Sequence, residues 1–155
     1  MRYAAVIAWI AGVLALLMLL QFGRLFAWSG VAPNFALAFL FVLGIVRAPL
    51  PVFGAALAGF ALFSFLWAPF WMGEAAAAAG VALAGYLLAR YLTGNRWIDM
   101  ALLAGGGTLL LTALGAYVFG FAAFSWSVFG ETAYTISAGL LLLALFPRRG
   151  KPLLI

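Results

Sequence analysis

The feature that most limits what this chain can fold into is the length of its uncharged stretches. The segment "VLGIVRAPLPVFGAAL", residues 42–57, sets one arginine and two prolines inside a long, otherwise uncharged run. Apolar residues make up 69% of the chain and charged residues 7%, against about 45–50% and about 25% in soluble domains. A soluble fold with that balance has too few polar groups to cover its surface. The solvent this sequence calls for is lipid.

Charge and missing residue types narrow the function. Eight Lys and Arg face three acids, a formal +5. The basic residues stand singly between apolar runs and form no stripe, so membrane topology explains them and nucleic acid is not an expected partner. There is no cysteine, which excludes disulfides, thiol nucleophiles and thiolate metal sites. There is no histidine, which removes the commonest metal ligand and general base. A serine protease of the membrane type lacks a placed base, because Lys151 is the only lysine and lies in the tail. The H-E-x-x-H metalloprotease motif is impossible. No enzymatic activity and no cofactor are expected.

A helical span needs about 20 apolar residues. On that rule the chain reads as all-α, a polytopic membrane protein with about six transmembrane helices in one bundle. The expected spans are 3–22, 33–46, 52–67, 75–92, 98–119 and 132–146. Five spans, or a re-entrant second segment, are the alternatives, since 33–46 is short. The first run follows Arg2 like a signal peptide, but exceeds the usual apolar length of about 7–15 residues. It is read as a retained span. Pro33 suits a first helical turn, where its missing N–H costs nothing. Arg47, Pro49 and Pro51 end the second span in a short turn. "GFAAFSWSVFGE" is read as an aromatic loop or a short interfacial helix.

With the N-terminus inside, Arg2, Arg47, Arg90, Arg96, Arg148, Arg149 and Lys151 all fall on the cytoplasmic side, and only Arg24 falls outside. That bias predicts cytoplasmic termini. Arg47, Arg90, Arg96, Arg148 and Arg149 are the expected topology determinants. Trp28, Trp67, Trp71 and Trp126 then sit near the outer interface, where indole rings suit the headgroup layer. Glu74 and Glu131 fall at outer helix starts, where a carboxylate favours the positive end of the helix dipole; a metal or proton site is the sharper alternative.

Lipid provides no hydrophobic drive between helices, so close contact depends on small residues. Stripes at four-residue spacing occur at Ala4, Ala8 and Gly12; at Ala55 and Gly59; at Ala76, Gly80 and Ala84; and at Ala104, Thr108 and Thr112. They either close the protein's own bundle or receive a partner helix. On the first reading, Gly80→Leu disrupts the bundle more than Leu83→Ala. Gly105–Gly107 marks a close helix approach or a kink. The aromatic outer loops form an interfacial belt, or dock a partner or cap a ligand through residues such as Trp71 and Trp126.

Three segments carry a family resemblance. A Pro-led second span begins at "VAPNFALAFLFVLGIV". A basic-Pro hairpin and a small-residue third span follow in "VRAPLPVFGAALAGFALF". The fourth span ends as "GVALAGYLLARYL" before a basic turn. With the six-span plan, these make the chain resemble the bacterial rod-shape-determining membrane protein MreD family. Two departures stand out. The family often has Pro-Asp where this chain has Pro33-Asn34, and often an Asp near Phe65-Leu66-Trp67. The resemblance implies a non-enzymatic inner-membrane subunit of the cell-elongation machinery. Its implied partners are an MreC-like bitopic protein and, indirectly, a peptidoglycan synthase and transpeptidase. MreD-like proteins are also similar in fold to the substrate-binding subunits (S-components) of energy-coupling-factor vitamin transporters, which gives a second expectation: a small-molecule-binding transport subunit. There Ala4 and Ala8 match an Ala-x-x-x-Ala pattern that contacts the coupling protein. Ser29, Ser125, Ser127, Thr132, Tyr134, Glu74 and Glu131 are the few polar candidates for a ligand.

Overall fold

Six α-helices and no strand are found among the described residues, 2–23, 31–67, 72–119 and 126–146 of a computed structural model. They are α1 (Arg2–Phe22), α2 (Phe35–Ile45), α3 (Leu50–Trp67), α4 (Met72–Leu88), α5 (Arg96–Phe119) and α6 (Trp126–Leu145). Neighbouring helices alternate in direction. Gln21 at the end of α1 meets Ala36 at the start of α2. Phe22 stacks on Phe63 near the end of α3, so α1 and α3 run parallel. Arg96 at the start of α5 meets Phe146 just past the end of α6, so those two are antiparallel.

The core is built around α2. A helix that is apolar on every side has to be surrounded, and residues 36–44 of α2 are all buried. Each of the other five helices touches it. Outside this centre the bundle is apolar too. Leu16, Leu62, Leu66, Leu83, Leu110 and Leu141 are all exposed, the arrangement expected where lipid covers the outside.

Among the described residues, three helices are long and apolar enough to cross a membrane, over Ala4–Phe22, Arg96–Tyr117 and Ser127–Leu145. About six spans were expected; six helices form, and three of them reach that length. The physical reason is clearest in α2. Its 11 residues rise only about 16 Å at about 1.5 Å per residue, roughly half of a hydrocarbon core of about 30 Å. Pro33 and Asn34 hold its start back, and the chain turns directly after Val46. Helices α3 and α4, of 18 and 17 residues, are apolar but also on the short side.

Helix limits differ from the expected spans in two instructive places. Helix α6 begins at Trp126, not at Thr132. The stretch from Trp126 to Glu131, read as part of an aromatic loop or a short interfacial helix, is the first turns of α6 itself, because neither Gly130 nor Glu131 interrupts backbone bonding there. Helix α4 ends at Leu88, and the chain then turns through Gly94 at φ +79°. Asn95 caps α5, its Oδ1 accepting from the Trp97 N–H (3.1 Å). Asp99 Oδ1 accepts from both the N–H and the hydroxyl of Thr93 (3.0 and 2.7 Å) and locks the turn.

The α2–α3 turn is a Schellman closure. The Arg47 N–H donates to the Gly44 carbonyl (3.0 Å) and the Ala48 N–H to the Leu43 carbonyl (2.9 Å). Arg47 occupies the position where glycine is usual, at φ +55°, a conformation that costs an L-residue about 1–2 kcal/mol. Pro49 then accepts the first bonds of α3, from the Val52 and Phe53 N–H groups. Pro51 lies inside the first turn of α3 rather than in the loop, where its missing N–H has no partner to lose.

Packing at the centre turns on one ring. Phe41 of α2 fits between Gly85 of α4 and Gly107 of α5, and a β-carbon on either glycine would overlap it. Gly44 lets α2 approach the α4 backbone, so that an added β-carbon would lie 3.2 Å from Tyr86 Cα. On the far side, Gly139 of α6 receives Met100 of α5, and Gly105 faces Ile136. The Gly105–Gly107 run is therefore a close approach, and α5 passes through it unbroken.

Candidate functional site

The half-length of α2 places its N-terminus, with several unpaired backbone N–H groups, inside the bundle rather than at its edge. Three side chains from three elements satisfy those groups. Asn34 is the N-cap, its Oδ1 accepting from the Leu37 N–H (3.0 Å). Gln21 of α1 accepts from the Ala36 N–H (3.2 Å). Thr135, fully buried halfway along α6, accepts from the Asn34 N–H (3.1 Å). Sequence reasoning singled out Asn34 only as a departure from a family pattern, and did not single out Gln21 or Thr135. A polar residue in an otherwise apolar run was the available signal.

The polar residues expected to serve a ligand do not converge on this node. Thr132 donates to the Val128 carbonyl in its own helix (2.7 Å). Ser127 is exposed and Tyr134 half-buried. Ser29 and Ser125 lie outside the described residues. Glu74 sits in the first turn of α4 and is exposed. Glu131 is half-buried and lies in the second turn of α6, not at its start, because the helix begins at Trp126. No group of three or more metal-ligating side chains occurs among the described residues.

At the opposite end of the bundle lie Arg47, Arg90 and Arg96. Tyr86 holds Arg90 and bonds the backbone next to Arg47. Its hydroxyl donates to the Ala48 carbonyl (2.9 Å), and its ring stacks on Phe53 (centroids 4.0 Å apart). Arg90 Nη2 donates to the same hydroxyl (3.4 Å), with its guanidinium 5.5 Å from the Tyr86 ring centroid. Arg96 is half-buried. Its Nη1 donates to the Phe146 carbonyl (3.1 Å) and its guanidinium covers the Trp97 ring. It thereby ties the start of α5 to the end of α6, where a cation suits the helix dipole. Arg148 and Arg149 lie outside the described residues.

The small-residue stripes divide into covered and uncovered. Ala55 and Gly59 of α3 are half-buried, and Gly59 faces α1, with Leu14 an ordinary contact distance from it. Ala104 and Thr108 of α5 are buried, and Thr108 and Thr112 donate to carbonyls four residues back. Ala76, Gly80 and Ala84 are all exposed, and a β-carbon on Gly80 would meet nothing within 4 Å. Ala4, Ala8 and Gly12 are exposed likewise, since α1 packs through Ile10, Leu14, Leu17 and Met18. The reading in which these two stripes close the bundle is thus corrected: α4 buries Ala78, Val81, Ala82, Gly85 and Tyr86 instead. Trp71 lies outside the described residues, and of Trp126 the backbone alone is described, as the first residue of α6.

Comparison with family models, with curated proteins and with solved structures gives no match.

Proposed function

We propose that this chain is a non-enzymatic multi-pass subunit of the bacterial inner membrane that serves the cell-elongation machinery by receiving the single transmembrane helix of an MreC-like bitopic partner. Through that partner it helps organise a peptidoglycan synthase and transpeptidase. The observation that carries the reading is the uncovered Ala76–Gly80–Ala84 face of α4. Small residues let a second backbone approach closely, and in lipid such contact is the main source of helix association. Gly80→Leu is accordingly expected to leave thermal stability in detergent unchanged and to abolish co-purification of the bitopic partner. Loss of stability together with the partner would place the stripe inside the fold and remove the argument.

The finer topology belongs to the same proposal. The chain passes through the membrane six times with both termini cytoplasmic, and α2 supplies a half-length helix to the second passage. The basic bias supports this orientation. Reporter fusions after Ile155 and within residues 47–51 are both expected to report cytoplasm, and a periplasmic signal from either would refute the map.

A second reading, a small-molecule-binding subunit of an energy-coupling-factor-type transporter, draws on the exposed Ala4–Ala8 pair and on the polar node at the start of α2. It ranks lower because Gln21, Asn34 and Thr135 already accept from backbone N–H groups.

A further inference from the structure

We propose that Arg47 and Arg90, set on the Tyr86 anchor, form a binding site for the phosphodiester of an anionic phospholipid. The inference rests on the membrane reading above, but on none of its claims about a protein partner.

Three observations converge. First, neither arginine has a carboxylate within ion-pair distance among the described residues, and both are exposed. Asp99, the nearest acid along the chain to Arg90, spends one carboxylate oxygen on the backbone and hydroxyl of Thr93. Second, one side chain links the backbone beside Arg47 to the Arg90 guanidinium. The Tyr86 hydroxyl bonds the carbonyl of Ala48, the residue after Arg47, and also accepts from Arg90 Nη2. Stacking on Phe53 fixes the ring. Third, Arg47 stands in a left-handed position that glycine would fill without strain. Fold stability alone therefore does not explain an arginine there. Two unpaired guanidinium groups carried on adjoining segments at one end of a bundle suit a phosphate, which Arg recognises through its N–H groups. Basic residues beside a membrane helix meet such phosphates in the anionic lipids of the cytoplasmic leaflet.

Free phosphate offers the same chemistry, so the test separates the two sources. The full chain is purified in mixed micelles of phosphatidylglycerol and phosphatidylcholine, and retained lipid is counted by native mass spectrometry. Wild type is expected to retain phosphatidylglycerol in preference. Arg47→Gly and Arg90→Gln are each expected to cut that preference roughly fivefold. Arg47→Gly is expected to fold at least as well as wild type, so its loss of lipid is not a loss of structure. Arg2→Gln and Arg24→Gln, each tested singly, remove equal charge elsewhere and are expected to preserve the preference. The proposal is overturned if wild type shows no preference, if the control variants lose it equally, or if millimolar inorganic phosphate displaces the lipid. Orientation plays no part in this assay, so the topology map can fail while the site stands, and the reverse.

Discussion

Gly85→Ala is expected to lower the thermal stability of the bundle sharply, by about 1–3 kcal/mol, the usual cost of forcing extra atoms into a filled core. An added β-carbon there would overlap the Phe41 ring, and Phe41 has nowhere to go. Its helix is buried on every side, and Gly107 of α5 closes the opposite flank, where a β-carbon would lie 2.5 Å from the ring. Gly107→Ala is expected to behave the same way. At Gly12 and Gly80, where nothing stands within 4 Å, alanine is expected to be neutral or to gain up to about 1 kcal/mol from reduced chain entropy. Shortening the ring should relieve the clash, so Gly85→Ala with Phe41→Leu should be more stable than the sum of the two single changes. Unfolding of the four glycine variants and the double variant in one detergent checks this. Equal melting temperatures for Gly85→Ala and Gly12→Ala would mean that Phe41 is not held between those helices.

Thr135→Val is the second large effect, expected at about 1–3 kcal/mol. The change keeps the side-chain volume and removes only the acceptor of the Asn34 N–H, which would then be left unsatisfied inside the bundle. Thr135→Ser retains the acceptor and should stay near wild type. Asn34→Ala removes the N-cap and is expected to cost about 0.5–2 kcal/mol. The two losses should not add, because both loosen the same helix end. Amide hydrogen exchange at Asn34, Ala36 and Leu37 should quicken in Thr135→Val. Unchanged exchange would show that α2 does not depend on α6 for its start.

How much of this was legible in the sequence depends on the kind of signal. Apolar run length located six helices, and the Arg47–Pro49 stop fixed the end of α2, since a chain cannot continue a helix through that turn. Run length could not say how far α2 reaches. Pro33 and Asn34 mark a helix start whatever its depth, and the depth is set by Thr135 and Gln21, which are distant in sequence. Small-residue spacing failed in a different way. The Ala76–Gly80–Ala84 and Ala55–Gly59 stripes look alike in sequence, yet one is open and the other covered. Which face of α4 turns inward is decided by Gly85 receiving Phe41 and by Tyr86 reaching Ala48, contacts that involve a different face of the same helix. Arg47, Arg90 and Arg96 were read as topology signals, and the contact of Arg90 with Tyr86 and of Arg96 with the end of α6 required the fold. Charge marked Glu131 as a helix start, but a helix in this setting continues past a single carboxylate.

The most direct test of the proposed role measures both candidate cargoes on one preparation. The chain, purified from a rod-shaped bacterial host in mild detergent, is divided between native mass spectrometry for bound metabolites and a pull-down for an MreC-like bitopic protein, with Gly80→Leu alongside. The expected result is a stoichiometric bitopic partner that is lost in Gly80→Leu, with no metabolite retained. A stoichiometric vitamin-like molecule with no bitopic partner would contradict the proposal and establish the transport reading in its place.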